Sequence, residues 1–169
     1  MDVGCTSKEK IESKYYDTDV EWFLTLPNNN RQFSVRHLNV RSAQLHFENM
    51  FATVEHTINN VDLLALTETF LAKEKMRTNN YNLPDYQMIV KHRKEGGQGG
   101  TLCYVKKQYT VEVVDENLEK CESLFLKIFL KSECIIAALI VYRRPKLNVP
   151  VFIHSLDSCL LYTSDAADE

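Results

Sequence analysis

The stretch Leu38–Ser42 reads LNVRS and the stretch Leu64–Thr69 reads LALTET, and together they decide the fold. Each overlaps the end of an alternating or apolar run, Phe33–Leu38 in the first case and Val61–Leu66 in the second, which is typical of a β-strand. Between them, Ser42–Asn59 has the spacing of a helix. Two strands joined by one crossover helix run parallel. Their C-terminal ends therefore meet at one edge of the sheet, where open α/β folds bind ligands.

Asn39 and Glu68 stand where these two strands are predicted to end. Because the strand ends share one edge, we expect the two side chains to lie close together. A carboxylate and an amide suit a hard divalent cation and a phosphate, since such cations prefer oxygen ligands. The two strand ends therefore predict a site for a metal ion and a phosphate.

The rest of the chain has the pattern of a mixed α/β domain. Ser42 can cap the first helix, and residues at helical spacing give that helix one apolar face: Phe47, Met50, Phe51, Val54 and Ile58. A polar loop at Ala72–Asn82 comes next. Further strands are predicted at Tyr86–Lys91, Thr101–Val105, Val111–Val114, Leu124–Leu130 and Cys134–Tyr142, with a glycine-rich turn at Gly96–Gly100 and a final helix beginning at Val149–Ser158. One crossover helix followed by mostly antiparallel strands favours an α/β fold, a two-sheet sandwich with helices outside.

Composition indicates one globular domain. The chain has 169 residues, of which 44% are hydrophobic and 25% charged, enough for a sizeable core and too apolar for disorder. Its net charge of −3 means that any nucleic-acid contact would depend on local basic patches. The five cysteines are scattered without a C-x-x-C pair, so we expect reduced thiols and no disulfide partner. Neither an apolar signal core nor a membrane-spanning run is recognisable, so we expect an intracellular protein with no membrane partner.

Several short motifs follow one another in a fixed order. They are SKYYDTD at Ser13–Asp19, FSVRHLNVRS at Phe33–Ser42, DLLALTETFL at Asp62–Leu71, YNLPDY at Tyr81–Tyr86, KHRKEGGQGG at Lys91–Gly100, ESLFLKI at Glu122–Ile128 and VYRRP at Val141–Pro145. In this order they resemble the endonuclease/exonuclease/phosphatase superfamily, and most of all the endonuclease domain of LINE-type (non-LTR) retrotransposons. The resemblance implies that residues 31–158 form the N-terminal part of a four-layer α/β/β/α sandwich.

The resemblance also implies roles for individual residues. Glu68 corresponds to the family's ligand for Mg²⁺ or Mn²⁺, Asn39 to a residue that positions metal and phosphate, and Tyr142 to a phosphate contact. These three are the candidate catalytic residues, and Glu68 and Asn39 are the candidate metal ligands. The plainer alternatives are a solvated loop glutamate, a turn asparagine and a half-buried tyrosine with its hydroxyl in water. His37 lies in a predicted strand, which favours a core or supporting residue over a general base.

Two positions depart from the family pattern. Arg41 stands where many relatives outside the retrotransposon group carry an acidic metal ligand, which argues against a two-metal site and against abasic-site repair. Arg143, Arg144 and Pro145 replace an arginine followed by two prolines, which leaves the shape of that turn open.

Basic residues around these motifs suggest a DNA surface. The candidate DNA contacts are Arg41, Lys91, Arg93, Lys94, Arg143 and Arg144, and His92, Lys106, Lys107 and Lys146 could extend the surface. Such contacts fix a protein on DNA without reading its sequence. The alternative is an ordinary solvated face, and the glycine run Glu95–Gly100 favours a flexible hairpin turn over a DNA-contacting loop.

By the same resemblance, the parent protein is a metal-dependent endonuclease of the nucleus. It would hydrolyse one phosphodiester of its DNA target and free a 3′ hydroxyl for a downstream reverse transcriptase domain. The family's later motifs, an Asp-x-Asn pair within a GDFN-like motif and a Ser-Asp-His, do not occur in this sequence, so we expect a truncated fragment that is inactive by itself. Because part of the second sheet would be missing with them and leave apolar edges exposed, we also expect the fragment to be poorly soluble. The alternatives are a phosphatase or phosphodiesterase of the same fold acting on a phospholipid or inositol phosphate, and a non-catalytic remnant.

The two ends of the chain differ from the domain between them. Residues 1–30 are polar and irregular, which is typical of a leader. Residues 159–169 begin with CLLYTS, which the codons TGTCTCTTATACACATCT would encode, and these codons match a widely used transposase sequencing adaptor. We therefore expect residues 159–169 to be translated adaptor, the alternative being a natural acidic tail.

Overall fold

The computed structural model describes residues 33–72, 81–92, 99–114, 121–130, 134–144 and 146–165, without the side chains of 53–57 and 159–165. In chain order the elements are β1 (Val35–Asn39), α1 (Ala43–Ile58), β2 (Leu63–Thr67), β3 (Tyr86–Lys91), β4 (Thr101–Lys106), β5 (Thr110–Val114), β6 (Glu122–Phe129), β7 (Ile135–Tyr142) and α2 (Val149–Asp165). The predicted leader at 1–30 lies outside the described residues, and the origin of residues 159–169 stays a prediction. No helix in the described part of the chain is long and apolar enough to cross a membrane.

The strands form two separate sheets. The first has the strand order β1-β2-β4-β3, in which β1 and β2 run parallel and the other neighbours antiparallel. The second has the order β5-β6-β7 and is antiparallel throughout. Two sheets with helices confirm the predicted α/β sandwich. Every predicted strand is present with slightly different ends, and the final helix continues past Ser158 to Asp165.

Helix α1 packs on one face of the first sheet. It begins after Ser42, whose carbonyl accepts a hydrogen bond from the His46 amide at 3.2 Å. Its apolar side chains Phe47, Met50 and Phe51 pack on a helix-side core, whose buried members are Ala43, Ile58, Val61, Leu64, Leu66, Leu71, Tyr81, Leu83, Tyr86, Leu102 and Tyr104. Tyr81 differs from the predicted polar loop because it is buried, with its ring edge-on to Phe47 and the ring centroids 5.0 Å apart.

The other face of the first sheet packs against the second sheet. The buried members of this inter-sheet core are Leu63, Ala65, Cys103, Val105, Leu124, Leu126, Ile128 and Ile140. Since successive residues of β2 enter opposite cores, both faces of β2 are buried, which explains the nearly continuous apolar run in the sequence. Side chains also alternate along β6 and β7, so Glu122 and Tyr142 lie on the face that carries Leu124 and Ile140, the face toward the first sheet. The two residues pair with each other where β6 begins and β7 ends.

A polar cluster closes the end of the first sheet where β2 begins. The Asp62 carboxylate accepts hydrogen bonds from the Ser34 amide (2.9 Å), the Ser34 hydroxyl (2.9 Å), the Tyr109 hydroxyl (3.0 Å) and the Lys106 ammonium (3.1 Å). Lys106 and Lys107 therefore lie at the end of β4 opposite to the one that pairs with Lys91. They do not join the basic residues near Lys91, contrary to the prediction.

Candidate metal and phosphate site

Asn39 and Glu68 lie side by side where β1 and β2 end. Asn39 is the last residue of β1 and stands opposite Thr67, so Glu68 is the first residue after the end of β2. The Asn39 Nδ2 donates a hydrogen bond to Glu68 Oε1 at 2.9 Å, and the Asn39 Oδ1 accepts one from the Arg41 amide at 3.3 Å. The expectation that the parallel strand ends bring these two side chains together is confirmed.

Tyr142 reaches the same place from the second sheet. It is the last residue of β7, it is buried, and its hydroxyl is hydrogen-bonded to Glu68. Burial raises the pKa of Tyr142, and the hydrogen bond and negative charge of Glu68 raise it further. Glu122 adds to this pKa shift, whereas Arg144 opposes it. A tyrosine, whose ordinary pKa is 10.0, is protonated at neutral pH, so the hydroxyl is the donor in its hydrogen bond with the Glu68 carboxylate. The candidate catalytic residues Asn39, Glu68 and Tyr142 thus meet at one end of the sandwich.

Left-handed backbone surrounds the site. Among the described non-glycine residues, positive φ angles occur at Asp85 and in the loops after β1 and β2, at Arg41 (46°), Ser42 (109°), Glu68 (54°) and Phe70 (54°). Such conformations are unfavourable for residues with a β-carbon and persist where surrounding contacts impose them. Here the Ser42 amide donates to the Glu68 carbonyl at 2.8 Å, and the Ala43 amide donates to the Thr69 carbonyl at 2.8 Å. The start of α1 thus fixes the loop that carries Glu68.

The donors at this end fit a magnesium-type ion held through one carboxylate. Within the described ranges no cluster of three or more His, Cys, Asp or Glu is present. Glu68 is partly exposed, and Mg²⁺ commonly takes one or two carboxylates and completes its coordination with water and substrate phosphates. Asn39 turns its amide nitrogen toward Glu68, so in this arrangement it orients the carboxylate. Direct metal binding by Asn39 would require its amide to turn over.

Two of the candidate DNA contacts adjoin the site. Arg41 is exposed and its backbone amide bonds to Asn39. The Arg144 side chain is 48% exposed, and its Nη2 donates to Glu122 Oε1 at 3.3 Å. Arg143 differs, because its Nη1 donates to the Leu147 carbonyl at 2.8 Å and so shapes the turn after β7.

Lys91 shares the same end of the first sheet at a greater distance. The register aligns Asn39, Thr67, Thr101 and Lys91 in one row across the strands. Three strand spacings place Lys91 about 14 Å from Asn39, within reach of the backbone of one DNA duplex. The other two candidates, Arg93 and Lys94, lie outside the described residues.

His37 supports the end of β2. It is exposed, and its Nε2 lies 3.0 Å from the hydroxyl of Thr67, the residue before Glu68. His37 is therefore not a core residue, and its contact with Thr67 agrees with the other prediction, that it supports the residues of the site.

Glu122 and the pair Gly99–Gly100 also belong to the site, and sequence reasoning did not identify them. Glu122 Oε2 accepts a hydrogen bond from the Gly100 amide at 2.5 Å, and both glycines are buried. Neither interpretation of the glycine run, a flexible turn or a DNA-contacting loop, anticipates this supporting role. In the sequence, Glu122 is recognisable only as an acidic residue at the start of an apolar strand. Its place in the site depends on the register of the two strands, which sets it opposite Tyr142.

Comparisons with known proteins find likeness in structure. No protein-family model matches the chain, and no curated protein matches its sequence. An AP endonuclease from Leishmania major is similar in structure, with a TM-score of 0.51 and 18% identity over 65% of this chain and 40% of that chain. A 3′ phosphatase from Neisseria, solved with a product DNA hairpin, has a TM-score of 0.49 and 14% identity over 75% of this chain and 48% of that chain. The chain has a sandwich fold of this type and spans less than half the length of either structure.

Proposed function

We propose that this chain is part of a metal-dependent DNA endonuclease domain of the endonuclease/exonuclease/phosphatase type, from a LINE-type retrotransposon. The observation that carries the proposal is the meeting of Asn39, Glu68 and Tyr142 at one end of a two-sheet sandwich. The ordered motifs favour the retrotransposon variant, and the likeness in fold to an AP endonuclease agrees with a nuclease. The complete domain would nick target DNA in the nucleus and free a 3′ hydroxyl for a downstream reverse transcriptase.

Each residue of the site has a distinct part in phosphate binding. Glu68 offers its carboxylate to Mg²⁺ or Mn²⁺, which when bound would neutralise phosphate charge and activate water. Asn39 holds that carboxylate in place through its amide. Tyr142 has an ordinary pKa of 10.0, which is raised further, so its hydroxyl is protonated at neutral pH and can donate to a phosphate oxygen. Arg41 and Arg144 would meet neighbouring phosphates of the DNA strand.

Binding of Mn²⁺ tests the assignment of Glu68. Glu68→Gln keeps the size of the side chain and an accepting oxygen but removes the charge, so the Mn²⁺ affinity measured by electron paramagnetic resonance should fall by roughly tenfold or more. Glu112→Gln is the matched control, because Glu112 is exposed on β5. An equal loss in both variants, or no loss in Glu68→Gln, would contradict the proposal.

This chain alone is expected to bind metal without cleaving DNA. The family's GDFN-like and Ser-Asp-His motifs, which supply the general base or transition-state stabiliser, do not occur in the sequence. We therefore expect the purified chain to leave supercoiled plasmid intact in the presence of Mg²⁺. Nicking by nuclease-free protein that disappears in Glu68→Gln would overturn this expectation.

A further inference from the structure

The loop that carries Glu68 is held from two sides by backbone hydrogen bonds. On one side, the Ser42 and Ala43 amides at the start of α1 donate to the carbonyls of Glu68 and Thr69. On the other side, the Thr69 amide donates to the Gly100 carbonyl at 3.2 Å and the Phe70 amide donates to the Gly99 carbonyl at 2.8 Å. Because Glu68 and Phe70 adopt left-handed backbone, the loop depends on such contacts to keep its shape.

One carboxylate in turn holds the Gly99–Gly100 segment. Glu122 Oε2 accepts the hydrogen bond of the Gly100 amide at 2.5 Å. Gly99 has a φ of 122°, and a β-carbon added to it would overlap the Glu122 carboxylate. The carboxylate thus fills the space that the missing side chain of Gly99 leaves, an approach that glycine permits. Since Glu122 is the first residue of β6, its backbone is fixed by the second sheet.

Glu122 also faces other residues of the site. Its Oε1 accepts a hydrogen bond from Arg144 at 3.3 Å, and its own side chain is only 11% exposed. It pairs with Tyr142 across β6 and β7, and its charge contributes to the raised pKa of that tyrosine. A carboxylate so far from water needs hydrogen-bonding and charged partners. Here the partners are the Gly100 amide and the Arg144 guanidinium, so the position of Glu122 is well determined.

We propose that Glu122 is a positioning residue of the metal site, which sets the place of Glu68 through the Gly99–Gly100 segment and the loop Thr69–Phe70. The inference rests on the proposed function, because it gives Glu122 a part in metal binding at Glu68 without contact to the ion. For this role the side chain at position 122 must be long enough to bring an oxygen to the Gly100 amide, and this length matters more than the negative charge of the side chain. Two substitutions separate these properties: Glu122→Gln keeps the reach and an accepting oxygen but loses the charge, whereas Glu122→Asp keeps the charge and loses the reach.

Amide hydrogen exchange and Mn²⁺ binding, measured on the same samples of the full chain, test this inference. In Glu122→Asp, the Thr69 and Phe70 amides should lose protection and the Mn²⁺ affinity should fall by roughly tenfold. Glu122→Gln should retain the protection and most of the affinity. Glu112→Asp is the matched control and should change neither. Protected amides at Leu66 and Leu102, in the buried centre of the first sheet, show in each variant that the fold persists.

The opposite pattern, a loss in Glu122→Gln with retention in Glu122→Asp, would overturn the inference, and so would unchanged exchange in Glu122→Asp. If Glu122→Asp does not fold, Glu122→Ala provides the same test, because it removes the acceptor of the Gly100 amide, leaves the backbone of Gly99 unsubstituted and should expose the same two amides. Failure of the unmodified chain to bind Mn²⁺ contradicts the proposed function instead. The exchange measurements then still decide whether Glu122 holds the loop.

Discussion

Among single residues, Tyr142 is a reporter on the charge of Glu68. Burial raises the pKa of Tyr142, and the hydrogen bond and charge of Glu68 add to the rise. Glu68→Gln removes the charge, so the pKa of Tyr142 should move down toward its ordinary value of 10.0. NMR titration of tyrosine labelled with ¹³C at Cζ would measure the shift, with Tyr142→Phe assigning the signal. Mg²⁺ bound at Glu68 should lower the same pKa in the unmodified chain but not in Glu68→Gln.

Tyr109 provides an internal control for this titration. Burial raises its pKa as well, but its hydroxyl bonds to Asp62 at the other end of the sheet. The pKa of Tyr109 should therefore be the same in the unmodified chain and in Glu68→Gln. An unchanged pKa of Tyr142 in Glu68→Gln would show that the two side chains do not interact in solution.

Among the elements of the fold, the start of β2 is tied to its neighbours by Asp62. Its carboxylate accepts hydrogen bonds from Ser34 before β1, from Lys106 at the end of β4 and from Tyr109 before β5. Hydrogen bonds to a charged group contribute about 1.5–3 kcal/mol each, and asparagine can replace only part of them. Asp62→Asn should therefore lower the free energy of unfolding by about 2 kcal/mol. Urea denaturation would measure this loss, with exposed Asp157→Asn on α2 as a control of little effect.

The same carboxylate makes the stability of the domain sensitive to acid. Burial raises the pKa of Asp62, but the hydrogen bonds of Ser34 and Lys106 outweigh burial, so the pKa lies below its ordinary value of 3.8. The unfolded chain then takes up a proton before the folded one does. The stabilisation is fully present above pH 3.8 and is lost as the pH falls through the lowered pKa. Asp62→Asn should remove this part of the acid dependence, and equal acid dependence in both proteins would contradict the assignment.

The elements could be predicted from the sequence because their patterns are local, whereas parts of the site depend on distant pairing. The apolar run Val61–Leu66 and the helical spacing after Ser42 predict β2 and α1 without other information. The contact of Asn39 with Glu68 follows from the rule that one crossover helix joins parallel strands. Glu122 has no such local signal, since its place opposite Tyr142 depends on the register of β6 with β7.

For the molecule as a whole, a net charge of −3 means that the proposed binding of DNA would depend on a few local cations. The row through Asn39 and Lys91, with Arg41 and Arg144 beside it, gathers basic side chains at the site end of the described residues. Each contact with a phosphate contributes about −0.9 to the slope of log affinity against log salt concentration. We therefore expect weak binding whose slope reports how many of these side chains meet the DNA.

Substitution of the two arginines beside the site should reduce that slope. If each meets one phosphate, Arg41→Ala with Arg144→Ala should make the slope shallower by about 2 and weaken binding to all sequences alike. Fluorescence anisotropy of a labelled duplex over a series of KCl concentrations would measure it, with Lys107→Ala at the far end of β4 as the control. Because Arg144→Ala also removes a partner of Glu122, the single variant Arg41→Ala is the cleaner case and should change the slope by about 1. A slope that stays the same in Arg41→Ala but becomes shallower in Lys107→Ala would place the DNA at the opposite end of the sheet, away from Glu68.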